Sequence, residues 1–134
     1  MAKKHDAHVL DALSSVIEKR RGGNPEKSYT AKLLARGTKQ VAKKFAEESG
    51  EVVIDAVSRD RRGLVLESAD VLYHLLVLWA DARIKPRQVW AELAGRAGIS
   101  GIAEKAARKP KKPKKTKKAR AKARAKIRRK PRKR

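Results

Sequence analysis

The segment at residues 64–81, LVLESADVLYHLLVLWAD, restricts the fold of this chain more than any other. Its apolar residues occupy most of the circumference of a helix with 3.6 residues per turn, which is typical of a helix at the centre of a bundle. Its longest nearly apolar run covers only residues 69–80, whereas a membrane-spanning helix needs about 20. We therefore expect a soluble helical bundle without membrane contact.

Helical periodicity extends over most of the chain before residue 109, and no segment shows sustained strand-like alternation. Glycine and proline residues, together with the turn sequence RDRRG at 59–63, divide this region. The predicted fold is all-α, a bundle of about five helices. These are a helix ended by Gly22-Gly23, a short helix ended by Gly37, a helix from Thr38 to about Ser58, a helix from about Leu64 to Arg83, and a helix that begins near Pro86.

The net charge of +23 is concentrated at one end of the chain. Of the 37 Lys and Arg residues, 17 lie in residues 109–134, where there is no acidic residue. We expect residues 1–108 to form one domain and residues 109–134 to form a disordered basic tail. The chain has no cysteine, which excludes disulfides and thiolate metal sites and fits a cytoplasmic protein.

Two pairs of acidic residues interrupt the apolar pattern of the third and fourth helices. Glu48 and Glu51 are three residues apart, and Glu67 and Asp70 repeat that spacing. Four clustered carboxylates repel one another unless cations neutralise them. Mg²⁺ prefers oxygen ligands and often takes phosphate oxygens as well. The sequence ESGE, then fifteen residues, then ESAD therefore predicts a site for Mg²⁺, or for Mn²⁺ in its place, that also takes a phosphate.

The same acidic residues have a second interpretation as a solvated surface. In that case EESGE at 47–51 faces water, with an intrahelical ion pair between Lys44 and Glu48. The fourth helix disfavours this interpretation because its apolar circumference leaves little surface for Glu67 and Asp70. His74, on the same side of that helix, is more typical of a hydrogen-bonded core residue than of a metal ligand, and the histidine pattern does not indicate zinc.

Three sequence blocks resemble a known family: NPEKSYTAKLLARG at 24–37, KKFAEESGEVV at 43–53 and ESADVLYHLLVL at 67–78. They are similar to the phosphoribosyl-ATP pyrophosphatases of histidine biosynthesis, a branch of the MazG-like all-α nucleoside triphosphate pyrophosphohydrolases, over about residues 8–108. The resemblance implies hydrolysis of phosphoribosyl-ATP to phosphoribosyl-AMP and pyrophosphate. It also implies a dependence on Mg²⁺ and a homodimer.

The resemblance also assigns roles to residues, while the number of metal ions and the identity of the base stay open. Glu47 matches an extra acid that orients or deprotonates the attacking water, and Glu48 is assigned to catalysis with it. Tyr29 as a packing aromatic and Thr30 as a helix cap remain alternatives. The implied metal ligands are Glu48, Glu51, Glu67 and Asp70, and the implied substrate-binding residues are Ser28, Tyr29, Thr30, Lys32, Lys43 and Lys44.

Two other functions compete with this one. A house-cleaning pyrophosphatase acting on dUTP or damaged nucleotides shares the acidic pairs, but the SYTAKLL block disfavours it. A nucleic-acid-binding protein explains the tail at 109–134, which we expect to bind polyanions without sequence preference. That alternative uses the helical domain for dimerisation and leaves the two acidic pairs unexplained.

Overall fold

A computed structural model describes residues 7–108 of the chain. Within these residues all regular structure is helical, as predicted, but there are six helices where about five were expected. The additional helix begins at Gly101, where the Ser100 hydroxyl caps it by accepting a hydrogen bond from the Ala103 N–H. The helices are α1 (His8–Arg20), α2 (Tyr29–Arg36), α3 (Thr38–Ser58), α4 (Arg61–Asp81), α5 (Pro86–Arg96) and α6 (Gly101–Ala107).

The chain divides into two compact units. Residues up to Ala97 form the first, which contains α1 to α5, and residues from Gly98 belong to the second, which contains α6. The domain boundary at residue 108 stays a prediction. The basic tail at 109–134, for which disorder was predicted, lies outside the described residues.

Local signals set the helix boundaries around the two longest helices. Gly37 has φ = 86°, a conformation that favours glycine, and it separates α2 from α3. Arg59 closes α3 in the left-handed conformation, with φ = 60°. The Asp60 carboxylate then accepts a hydrogen bond from the Gly63 N–H at 2.9 Å. This N-cap starts α4 at Arg61, so the expected turn over all of RDRRG was wrong.

The hydrophobic core lies beside the C-terminal half of α4. Helices α3 and α4 are each 21 residues long and are joined by two residues, so they pack side by side as a hairpin. Helices α1 and α2 pack against one side of this hairpin. The core cluster takes residues from all four helices, namely Ile17, Leu33, Val41, Leu76, Val77 and Ala80.

The N-terminal half of α4 is much less covered than the sequence suggested. Val65 is 70% exposed, and Leu66 is exposed as well. By length and composition α4 could cross a membrane. Only 22% of its most apolar window is buried within the chain. Bundle-core helices share this composition, and α4 carries Glu67 and Asp70 in its first half. The expected central position is therefore met only in the second half of α4.

Candidate active site

Helices α3 and α4 bring three carboxylates together. One oxygen from each of Glu48, Glu67 and Asp70 lies within 4.8 Å of the others. Glu48 and Glu67 are half-buried and Asp70 is exposed, so the cluster opens to solvent on one side. The spacing of three residues places Glu67 and Asp70 on one face of α4, and the hairpin brings Glu48 opposite them. Three of the four predicted ligands thus form one group.

The fourth predicted ligand, Glu51, is exposed and stands outside this group. It still acts on the group electrostatically. Partial burial raises the pKa of the Glu67 carboxyl, and the negative charges of Asp70, Glu48, Asp55 and Glu51 raise it further, in that order. The field at Glu67 therefore comes from both helices.

Asp55 is a member of this field that sequence reasoning missed. It lies four residues after Glu51, which places it on the same face of α3. Its carboxylate approaches α4 closely, since a Cβ added at Gly63 would be only 2.5 Å from Asp55 Oδ2. The signals were the helical spacing from Glu51 and a glycine in the facing helix.

Two lysines accompany the acidic residues of α3. Lys44 Nζ lies 3.2 Å from Glu48 Oε1 and 3.1 Å from Glu47 Oε2. Lys43 reaches Glu47 at 3.8 Å and is largely exposed. Hydrogen bonds to Glu47 and then to Glu48 raise the pKa of Lys44. Glu47 is therefore engaged by both lysines, while Glu48 is shared between Lys44 and the acidic cluster.

His74 lies one turn after Asp70 and is 4% exposed. Its Nδ1 is 2.8 Å from the Asp70 carbonyl oxygen, and its Nε2 is 3.4 Å from the Tyr29 hydroxyl. Both ring nitrogens therefore have protein partners, which agrees with the predicted hydrogen-bonded core histidine. Tyr29 itself is half exposed, with its ring edge-on to His74 and stacked against Tyr73.

Tyr29 belongs to the sequence SYTAK at residues 28–32, called the SYTAK block below. The other residues of this block have different surroundings. The Ser28 hydroxyl caps α2 by accepting a hydrogen bond from the Ala31 N–H at 3.2 Å. The Thr30 hydroxyl is 2.5 Å from the Tyr73 hydroxyl, so it ties α2 to α4 and does not serve as the cap. Lys32 is exposed. The block thus combines helix capping, attachment to α4 and one exposed cation.

The cluster of Glu48, Glu67 and Asp70 fits a hard divalent cation. All three donors are carboxylate oxygens, the ligand type that Mg²⁺ and Mn²⁺ favour. Both ring nitrogens of the buried His74 face protein atoms, Nδ1 the Asp70 carbonyl oxygen and Nε2 the Tyr29 hydroxyl, so neither is directed at the cluster as a ligand. The negative charges that raise the pKa of Glu67 are the charges that such a cation would neutralise.

Comparison with known proteins agrees with this geometry. A family model described as phosphoribosyl-ATP pyrophosphohydrolase matches residues 10–97, which includes the cluster and the SYTAK block. A phosphoribosyl-ATP pyrophosphatase of Paramagnetospirillum magneticum is 56% identical over 93 residues, which are 69% of this chain and 85% of the relative. One from Azospirillum brasilense is 56% identical over 95 residues, 71% of this chain and 86% of the relative.

A third relative, the phosphoribosyl-ATP pyrophosphatase of Rhodospirillum rubrum, is 55% identical over 90 residues, which are 67% of this chain and 77% of the relative. All three alignments span most of the relative's own length. The family model and these relatives converge on the family that the sequence blocks resemble. The chain belongs to the phosphoribosyl-ATP pyrophosphohydrolase family.

Proposed function

We propose that this chain hydrolyses phosphoribosyl-ATP to phosphoribosyl-AMP and pyrophosphate, the second step of histidine biosynthesis, in the cytoplasm. The observation that carries the proposal is the group of Glu48, Glu67 and Asp70, which lies within the part of the chain that the family model matches. The relatives at 52 to 56% identity bear the name of this activity. A hydrolase of this kind acts on a highly charged polyphosphate. Carboxylates alone are unsuited to binding it because they repel its negative charge.

Glu48, Glu67 and Asp70 are the residues that would hold Mg²⁺, with Glu51 as a fourth ligand one turn along α3. When bound, the ion supplies charge neutralisation for the phosphates and acidifies water. Lys44 adds a point charge at the edge of the cluster, where it can hold a phosphate oxygen. These residues position a polyphosphate with its anhydride beside the carboxylates.

The attacking water needs a carboxylate to orient it and accept its proton. Glu47 and Glu48 are the two candidates for this role. Glu47 points toward Lys43 and Lys44, so its availability depends on those lysines moving to the phosphates. Glu48 is closer to the other acids. Comparing the pH dependence of turnover in Glu47→Gln and Glu48→Gln tests which of them takes the proton.

The test of the activity is pyrophosphate release in the presence of Mg²⁺, with phosphoribosyl-ATP, ATP, dUTP and dCTP as separate substrates. We expect turnover of phosphoribosyl-ATP alone. Glu48→Gln should lose at least about 10²-fold in turnover, the effect typical of removing one electrostatic stabiliser. Its fold should stay intact or gain stability, because the change relieves repulsion among the carboxylates.

Glu92→Gln, on the exposed face of α5, is the matched control and should keep wild-type turnover. Cleavage of dUTP or dCTP in place of phosphoribosyl-ATP would favour a house-cleaning pyrophosphatase. Full activity of Glu48→Gln would overturn the assignment of the acidic cluster.

We also propose that the enzyme is a homodimer formed through the uncovered halves of α3 and α4. This surface exposes Val57 at 79% and Val65 at 70%, next to Ile54 and Leu66. Contiguous apolar patches on a soluble protein usually mark an interface. Sedimentation should give about twice the chain mass of 15.0 kDa, and Val65→Glu should shift the protein towards monomer.

The basic tail at 109–134 supports a separate proposal of nonspecific contact with nucleic acid or another polyanion. Its 17 Lys and Arg residues without an acid favour binding by release of counterions. The tail has no aromatic residue for base stacking, so any binding should be weakened strongly by salt and independent of sequence. This contact is not required for hydrolysis.

A further inference from the structure

The side chains of Tyr29 and Thr30 attach the first turn of α2 to α4. Tyr29 meets His74 at 3.4 Å, and Thr30 meets Tyr73 at 2.5 Å. Both contacts lie one turn beyond Asp70, a member of the acidic cluster. The position of Tyr29 is therefore coupled to the helix that presents two of the carboxylates.

The hydrogen bonds of His74 fix the direction of the Tyr29 hydroxyl. The Asp70 carbonyl oxygen can only accept a hydrogen bond, so the His74 Nδ1, 2.8 Å away, must carry the proton. In the neutral ring Nε2 is then an acceptor, and the Tyr29 hydroxyl donates to it. The edge-on ring of Tyr73, 5.0 Å from that of His74, helps to hold the imidazole in this orientation.

A phenol has only one proton to donate. With that proton directed at His74, the Tyr29 oxygen presents lone pairs on its remaining side. Tyr29 is 52% exposed, so a ligand can reach it. A phosphate oxygen is also an acceptor, so it forms no hydrogen bond with the Tyr29 oxygen. A sugar hydroxyl or an amino group on the base can donate a hydrogen bond to the Tyr29 oxygen.

We propose that His74 is a positioning residue that takes the hydroxyl proton of Tyr29 and thereby makes the Tyr29 oxygen an acceptor for a hydroxyl or amino group of the substrate's nucleoside part. The inference rests on the proposed function, because it assigns Tyr29 to one part of that substrate. It separates recognition of the nucleoside, at Tyr29, from recognition of the phosphates, at the acidic cluster and Lys44.

The first test needs no substrate. The ¹⁵N shifts of the imidazole rings in the full-length chain at pH 8 report which nitrogen of His74 carries the proton, and loss of the signal in His74→Gln assigns it among the three histidines. We expect the Nδ1–H form, and we expect Tyr29→Phe to shift the Nε2 resonance. The Nε2–H form, or no shift in Tyr29→Phe, would overturn the proposal whatever the enzyme hydrolyses.

The second test is kinetic. Tyr29→Phe and His74→Phe should each raise KM for phosphoribosyl-ATP about tenfold, equivalent to about 1.4 kcal/mol, while kcat changes less than about twofold. The double variant should be no worse than either single variant, because both remove one interaction. His74→Gln keeps an acceptor near the Nε2 position and should recover part of the loss.

Inhibition by pyrophosphate is the control that distinguishes the two parts of the substrate. Its inhibition constant should be the same in Tyr29→Phe and in the wild type, because pyrophosphate has no donor for the Tyr29 oxygen. A matching loss for pyrophosphate would show that Tyr29 donates to phosphate, and it would overturn the proposal. If the wild type fails to cleave phosphoribosyl-ATP, the proposed function fails, and the tautomer measurement still decides the role of His74.

Discussion

Lys44 and Glu48 form an ion pair of 3.2 Å across one turn of α3, and the Glu48 side chain is only 17% exposed. The same lysine also bonds Glu47 at 3.1 Å. Lys44 thus links Glu47 to Glu48, a member of the acidic cluster. A lysine in this position stabilises Glu48 in the free chain, and under the proposed function it transfers to a phosphate when substrate binds.

Replacing Lys44 with methionine should lower kcat/KM for phosphoribosyl-ATP about tenfold to hundredfold. The reason is the loss of one charge-assisted hydrogen bond, which is usually worth about 1.5–3 kcal/mol. Steady-state pyrophosphate release measures the effect. Lys39→Met, at an exposed position on the same helix, should stay near wild type. Equal activity of the Lys44 and Lys39 variants would show that Lys44 has no part in catalysis.

Mg²⁺ should stabilise the chain against heat, because a cation that binds only the folded state shifts the unfolding equilibrium. At a concentration of 100 times Kd the gain is about 2.7 kcal/mol. Thermal unfolding with Mg²⁺ and with EDTA measures it. Asp70→Asn should lose most of the gain, whereas Glu92→Gln should keep it. Stabilisation that persists unchanged in Asp70→Asn would mean that the ion binds elsewhere.

The same measurement decides the place of Glu51. It is exposed and stands apart from the compact group of three carboxylates, yet the sequence predicts it as a ligand. If it completes the site when the ion binds, Glu51→Gln should reduce the Mg²⁺-dependent stabilisation as Asp70→Asn does. A gain equal to that of the wild type would limit the ligands to Glu48, Glu67 and Asp70.

Stability without metal should depend on pH through Glu67. Burial and the neighbouring carboxylates raise the pKa of Glu67 in the folded chain above the ordinary value of 4.5. The folded state therefore binds this proton more tightly than the unfolded state does. As pH rises above 4.5 the chain loses stability, and the loss is complete above the folded pKa.

Glu67→Gln removes this loss. In EDTA we expect the variant to be more stable than the wild type at pH 7, and we expect the difference to shrink as pH falls towards 4.5. Urea unfolding of both proteins at several pH values gives the comparison. A constant difference across this range would mean that Glu67 titrates normally in the folded chain.

Deleting residues 109–134 should leave kcat and KM for phosphoribosyl-ATP nearly unchanged, because the acidic cluster, the lysines of α3 and the SYTAK block all precede residue 97. Retention on DNA at low salt should be lost in the shortened chain. A large fall in turnover would instead show that the tail takes part in the active site.

The sequence predicted the features that depend on spacing along one helix. Three-residue spacing placed Glu67 and Asp70 on one face of α4, and four-residue spacing paired Lys44 with Glu48, as the structure bears out. The all-α fold followed from the apolar periodicity in the same way. These are local properties of the helix, and they hold wherever the helix packs.

Features that depend on packing between distant segments were not predictable from spacing. The contact of Tyr29 with His74 joins residues 45 positions apart, and its geometry depends on how α2 packs against α4. The apolar circumference of α4 predicted burial along its whole length. Its first half, however, is not covered by this chain. The prediction failed there because an apolar surface indicates that some partner covers it, but not whether that partner is the same chain.

Gly63→Ala should not stabilise the chain, although alanine normally favours a helix by about 0.8–1 kcal/mol over glycine. The added Cβ would lie 2.5 Å from Asp55 Oδ2 and 2.7 Å from Asp60 Oδ2, so it displaces the carboxylate that caps α4. Losing this N-cap costs about 0.5–2 kcal/mol, which offsets the gain from alanine, so we expect urea unfolding to show no rise in the midpoint. Gly95→Ala, with no atom within 4 Å of the new Cβ, should be stabilising. If Gly63→Ala stabilises the chain as much as Gly95→Ala does, the Asp55 and Asp60 carboxylates make room for the methyl group without loss of the cap.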